Sequence, residues 1–255
     1  MSQLVQDFNR RYVRKFATAK PVLRAQRILL SMVGAGQKLL DVGCGSGFYT
    51  VQFHEMGNEV VGVDLTPEGV HAVRILGIPT YVVNIEQSLP FKDNSFDAVT
   101  FVEVIEHLLR PDLAVREIHR VMKPGAALIL TTPNYAHWVL RLLYLFGNPP
   151  VGLRSRPYTG FRSRQPAEAI EAWVDPHIRF FTPRTARRLL SRCGFEVVQL
   201  RSTFVAFPSG LAPYIPFLPG LPLRVIGKLI GNLEFLGDRF PSLLAAGMMI
   251  RAIKR

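Results

Sequence analysis

"LLDVGCGSGFYT", residues 39–50, is an apolar run that ends on an acid and then opens into Gly43, Gly45 and Gly47, three glycines within five positions. That order reads as a buried strand, a tight turn and the start of a helix. Apolar residues fill the strand, glycines free the backbone, and "FYTVQFHEMG" resumes helical spacing. Such a turn cradles a ligand. No Cβ separates the ligand from the main chain, and the first helical turn offers N–H groups without helical partners. The spacing G-x-G-x-G is not the dinucleotide fingerprint, which needs two spacers before its third glycine, and no Walker lysine follows.

Working outward, "NEVVGVDL" reads as a second strand closed by Asp64, 23 residues after Asp41. On a doubly wound sheet this carboxylate stands beside the glycine turn, where it accepts the hydroxyls of a ribose. Asp41, directly before the turn, opposes a pyrophosphate and favours an ammonium group. A ribose and a cationic amino-acid end without phosphate describe S-adenosyl-L-methionine.

The alternation continues along the chain. "TPEGVHAVRILG" is a helix with a threonine cap, a proline at its first position and a glycine stop. "PTYVVNIE" and "SFDAVTFVEV" are the third and fourth strands, "DLAVREIHRVM" a helix, and "PGAALILTTPN" the fifth strand. This pattern predicts an α/β fold, doubly wound and mostly parallel, with helices on both faces. Residues 1–37 read as an N-terminal helical segment, with Leu4, Phe8, Tyr12 and Phe16 at near-helical spacing, and 38–135 as the ligand-binding core. Residues 136–255 read as the rest of the sheet with a basic and apolar substrate cap in the same domain. They hold the apolar helix "AHWVLRLLYLFG", the capped helix "TPRTARRLLSRCG", the strand "FEVVQL", a cap insertion over 205–242 and a last strand, "SLLAAGMMIRAIKR".

Residues 39 to 134 resemble the class I S-adenosylmethionine-dependent methyltransferases. They come nearest the branch that holds ubiquinone-biosynthesis O-methyltransferases and glycan- and lipid-pathway enzymes. Four ordered stretches carry the likeness: "LLDVGCGSGFYT", "VVGVDLT", "LPFKDNSFDAVTFVEVIEHL" and "REIHRVMKPGAALILTTPN". The resemblance implies a Rossmann-like sheet of seven strands. It places Gly43, Gly45 and Gly47 against the methionine portion, Asp41 near its amino group and Asp64 on the ribose, with Leu65 and Glu103 among the cofactor contacts. Where that branch closes its third strand with an aspartate for the adenine amino group, this chain has Asn84. Its carbonyl accepts the same bond without the charge, and Ile85 packs on the adenine ring.

Glu103, Glu106 and His107 stand at i, i+3 and i+4, a spacing that predicts one helical face beside the methyl group. Three readings compete. His107 is a general base for a substrate hydroxyl, tuned by Glu106. Alternatively, Glu103, Glu106 and His107 chelate a divalent ion with His177 of "DPHIRFFTP", as the motif does in small-RNA 2′-O-methyltransferases. In the third reading the segment is a structural helix start.

The net charge of +12 is unevenly spread. Residues 1–38 hold eight bases against one acid, 39–135 six against twelve, 136–200 ten against four, and 201–255 seven against two. An acidic centre between basic flanks points to a polyanionic partner or a phosphate-bearing substrate. Two cysteines provide no disulfide framework, and the first 30 residues lack a secretory pattern, so a cytoplasmic protein is expected, peripheral at the inner membrane surface. The uncharged stretch 202–223 is broken by five prolines, which argues against a transmembrane helix. The expected function is O-methylation of a hydrophobic, lipid-linked or quinone- or glycan-type small molecule. An RNA methyltransferase is less favoured, because no RNA-binding module is recognisable and the aromatics avoid the arginine clusters. A cofactor-binding protein without catalysis is the third expectation.

Overall fold

The structure, a computed structural model, describes residues 23–145, 147, 177–203 and 234–255. In chain order its elements are α1 (Leu23–Val33), β1 (Lys38–Val42), α2 (Phe48–Glu55), β2 (Glu59–Asp64), α3 (Pro67–Arg74), β3 (Thr80–Val82) and β4 (Phe96–Val102). A 3-10 turn (Ile105–His107) follows. Then come α4 (Pro111–Val121), β5 (Met122–Pro133), α5 (Trp138–Leu145), α6 (Pro183–Arg192), β6 (Phe195–Ser202), α7 (Glu234–Arg239), α8 (Pro241–Leu244) and β7 (Gly247–Lys254).

Period-two alternation sorts the central strands onto two apolar layers. Leu40, Val42, Val99, Phe101, Leu128, Leu130, Met248 and Ile250 face one layer, where α4 and α6 bring Ala114, Val115, Ile118, Ala186 and Leu190. Leu39, Ala98, Ala127, Ile129 and Met249 face the other, covered by Leu29, Met32 and Val33 of α1, Phe53 of α2 and Val73 of α3. Strands buried on both faces explain the unbroken apolar runs in the sequence. The seven strands run in the order β3-β2-β1-β4-β5-β7-β6. β7 is antiparallel to both its neighbours, and the other pairs are parallel. The expected doubly wound, mostly parallel fold is therefore the observed one. Its direction of winding reverses between β1 and β4, which opens a crevice at their carboxyl ends.

Three local readings change. The third strand stops at Val82, so Asn84 and Ile85 lie beyond it in a turn where Asn84 Oδ1 accepts the Glu86 N–H at 3.0 Å. The last strand starts at Gly247, because Pro241 initiates the helical turn α8 where strand was expected. Thr66 occupies the N-cap position of α3, but its hydroxyl donates to Asp64 Oδ1 at 2.6 Å and does not cap the helix. Thr182 does cap α6, reciprocally with Thr185. The N-terminal helical run at 4–16, the arginine-rich loop expected over 148–166 and residues 205–233 of the expected cap insertion lie outside the described residues. Among the described residues no helix is long and apolar enough to cross a membrane.

Candidate functional site

The glycine turn joins β1 to α2, and Gly43, Gly45 and Gly47 all have positive φ, at 76°, 51° and 88°. Its place is fixed by backbone bonds, Gly43 and Cys44 N–H both donating to Val63 O of β2 at 2.8 and 3.1 Å. A Cβ on Gly43 would fall on the Val104 side chain, so the turn rests directly on the segment that follows β4. A Cβ on Gly45 would meet nothing within 4 Å. The turn is thus packed behind and open in front, a shape that fits a ligand laid along the main chain. Gly69 of α3, which sequence reading passed over, completes the cradle: its Cβ would stand 2.6 Å from Gly45 O.

Asp64 ends β2 beside this turn. Its Oδ2 accepts the Gly45 N–H at 2.8 Å, and its Oδ1 accepts the Thr66 N–H and hydroxyl at 2.8 and 2.6 Å. Oδ2 keeps a second acceptor direction, which suits a ribose hydroxyl. Leu65 follows, half-buried, and Ile85 is packed in the core with Leu40 and Val63. Asp41 lies beneath the turn and is turned inward. Thr50 Oγ1 donates to Oδ2 at 2.6 Å and Thr100 Oγ1 to Oδ1 at 2.7 Å, tying β1 to α2 and β4. Burial pushes this carboxyl up to about 6 against the pull of the two hydroxyls, and the Asp64 charge adds to the rise.

Glu103, Glu106 and His107 do not share a helical face. Glu103 has a φ of 53° and precedes the 3-10 turn. The cause is β5. Thr131 O and Oγ1 accept the Glu103 N–H at 3.2 and 3.1 Å, and Thr131 Oγ1 donates to Glu103 Oε1 at 2.7 Å, so Glu103 stays attached to the sheet. Glu106 is fully buried, its Oε2 accepting from Thr132 Oγ1 at 3.1 Å. Burial first, then the nearby Glu103 charge, holds the Glu106 carboxyl well above the usual carboxylate range.

The Glu106 carbonyl accepts the N–H groups of Ile178 and Arg179, both at 3.0 Å. This brings residues 177–181, "HIRFF", back across the site. His177 then stands with Nε2 3.8 Å from Glu106 Oε1, its ring centroid 4.8 Å from that of His107. Its Nδ1 is 2.8 Å from Tyr135 Oη. Tyr135, whose N–H donates to Phe181 O at 2.9 Å, was not singled out from the sequence. One ligand atom each of Glu106, His107 and His177 lies within 4.8 Å of the others, a set that fits a divalent cation once Glu106 loses its proton. Glu103, the fourth expected ligand, is outside that set.

A family model described as a methyltransferase domain matches residues 40–130. The chain is similar to a ubiquinone biosynthesis O-methyltransferase of Xanthomonas oryzae pv. oryzae, 37% identical over 106 residues that make up 39% of this chain and 44% of that protein. Its likeness to the mitochondrial ubiquinone biosynthesis O-methyltransferase of Mus musculus is 28% over 152 residues, 56% of this chain and 41% of the other. The chain thus matches less than half the length of these curated relatives. A solved S-adenosylmethionine-dependent methyltransferase of Thermotoga maritima, described as a possible histamine N-methyltransferase, superposes over 100% of both chains. Its TM-score is 0.65 at 20% identity, a likeness of fold.

Proposed function

With residues 40–130 forming a class I S-adenosylmethionine-dependent methyltransferase domain as the premise, we propose that this chain methylates a hydroxyl of a hydrophobic, lipid-linked or quinone- or glycan-type small molecule. One observation carries the proposal: Gly43 rests on Val104, so the cofactor crevice and the cluster that begins at Glu103 share a wall. S-adenosylmethionine supplies an electrophilic methyl group on a sulfonium. Gly43, Gly45 and Gly47 hold its amino-acid end, Asp64 its ribose, and Asn84 and Ile85 its adenine. An acceptor hydroxyl must shed its proton as its oxygen attacks, and His107 receives it. Burial shifts the Glu106 carboxyl beside His107 toward its neutral form, which opposes a buried carboxylate charge at the site. The names of the relatives support an O-methylated, quinone-like acceptor, and the apolar stretch 202–223 suits a greasy one.

A second reading has its own observation in the mutual approach of Glu106, His107 and His177. These three would hold a divalent cation, which lowers the pKa of the acceptor hydroxyl. Calorimetry with S-adenosylhomocysteine and turnover with a panel of catechol and phenol acceptors test both. His107→Ala is expected to lower turnover by roughly 10²-fold with cofactor affinity unchanged. Activity lost to a chelator and restored by Mg²⁺ or Mn²⁺ favours the cation reading, and full activity in the variant removes both. Absence of any S-adenosylhomocysteine binding overturns the proposal.

A further inference from the structure

Helix α1 covers the sheet with Leu29, Met32 and Val33, and beside that buried stripe it carries Arg24, Arg27, Ile28 and Ser31 at helical spacing. In β6, Arg201 pairs with Met249 and Gln199 with Arg251, so all four share the sheet face that α1 covers. Between helix and strands runs a groove of two adjoining cavities, about 330 and 250 Å³, that meet at Ser31. Arg24, Arg27 and Arg201 line the first, and Gln37, Gln199 and Arg251 contribute to the second. Among the described residues neither lining includes an acid.

Two of these guanidinium groups are braced before any ligand arrives. Asp238 Oδ2 lies 3.3 Å from Arg24 Nη2 and 3.1 Å from Arg201 Nε, while its Oδ1 accepts the Ser202 N–H at 2.7 Å. Arg24 Nη1 also donates to Ser202 O at 3.1 Å. One carboxylate therefore serves two arginines, and Arg27 and Arg251 add two further positive charges along the same groove. We infer that this groove binds a phosphate-bearing anion of about diphosphate size, at a site distinct from the cofactor crevice. From β1 to β7 is three strand spacings, on the order of 15 Å. The chemistry favours phosphate because guanidinium forks present paired N–H groups to tetrahedral oxyanions, and because braced side chains lose little freedom on binding. A concavity of about 330 Å³ is large enough for a small anion.

The probe is inorganic pyrophosphate, titrated at low ionic strength into the full chain and two double variants. Arg27→Gln with Arg251→Gln removes groove charge while leaving the Arg24–Asp238–Arg201 brace. Arg188→Gln with Arg192→Gln removes the same charge from the exposed side of α6. Saturable binding of one pyrophosphate is expected, weakened about tenfold or more by the groove variant and within about twofold by the control. S-adenosylhomocysteine affinity reports that each variant is folded. Equal weakening by both variants would mean diffuse attraction to the net charge and, like the absence of saturable binding, would overturn the site. Competition by phosphatidylglycerol vesicles identifies the source. Displacement of pyrophosphate assigns the phosphate to a lipid headgroup, and retention assigns it to a free molecule; both keep the anion site.

Discussion

Asp41 sits where a charge is least welcome, buried between Thr50 and Thr100 with its carboxyl raised to about 6 from the ordinary value near 4. The native state then holds this proton over a range where the unfolded chain has released it. Stability from this group is complete below about pH 4 and is lost as pH rises through about 6, at most about 3 kcal/mol for a shift of this size. Two hydroxyl bonds do not offset the desolvation, so burial wins. Asp41→Asn keeps the geometry, since Oδ1 accepts from one threonine and Nδ2 donates to the other, and it removes the titration. Urea unfolding at several pH values is expected to show the variant gaining on the parent between pH 4.5 and 7 and at least matching it at pH 8. A constant difference across that range would mean that Asp41 titrates normally.

At the scale of elements, the glycine turn and Asp64 were legible because strand, turn and helix N-terminus are contiguous and each has a local signal. Of the four residues expected to act together after β4, Glu106, His107 and His177 approach one another and Glu103 does not. Spacing alone made Glu103, Glu106 and His107 one helical face, whereas Thr131 of β5, 28 residues away, holds Glu103 on the sheet. Tyr135 meets His177 across 42 residues, because the Glu106 carbonyl captures the amides of Ile178 and Arg179. Such long-range returns leave no periodic mark. Gly69 was missed for a related reason: inside α3 it resembles an ordinary weak helical position, where alanine would add about 1 kcal/mol of stability. Its Cβ, however, would stand 2.6 Å from the carbonyl oxygen of Gly45, a backbone atom that cannot rotate away. The clash outweighs the propensity. Gly69→Ala is expected to lower stability by about 1–3 kcal/mol and to weaken S-adenosylhomocysteine binding about tenfold as the turn is displaced, read by thermal unfolding and calorimetry. A variant more stable than the parent with unchanged affinity would show that α3 does not buttress the turn.

At the scale of the whole molecule, the distribution of charge and of exposed apolar side chains bears on where the proposed hydrophobic acceptor would be met. The basic flanks surround an acidic centre, and α5 exposes Leu142, Tyr144 and Leu145, the last 76% accessible. Arg141, in the same helix, donates to Ala136 O and, at 3.3 Å, to Ser242 O, which anchors α5 to α8. An exposed apolar helix on a chain of net charge +12 would dock on an anionic bilayer by two additive terms: burial of the leucines and about 1 kcal/mol for each arginine near the headgroups. The second term fades with salt, as the Debye length shrinks from about 10 Å at 0.1 M to 3 Å at 1 M, and the first does not. Co-sedimentation with phosphatidylglycerol vesicles is therefore expected at low salt and to be largely reversed at high salt, with neutral phosphatidylcholine vesicles leaving the protein in solution. Leu142→Ser with Leu145→Ser is expected to weaken binding at every salt concentration, because it removes only the apolar term. Arg27→Gln with Arg251→Gln acts on the charge term alone. Equal partitioning to neutral and anionic vesicles, or to neither, would remove the membrane-presented acceptor and leave a small soluble hydroxyl compound as the substrate class.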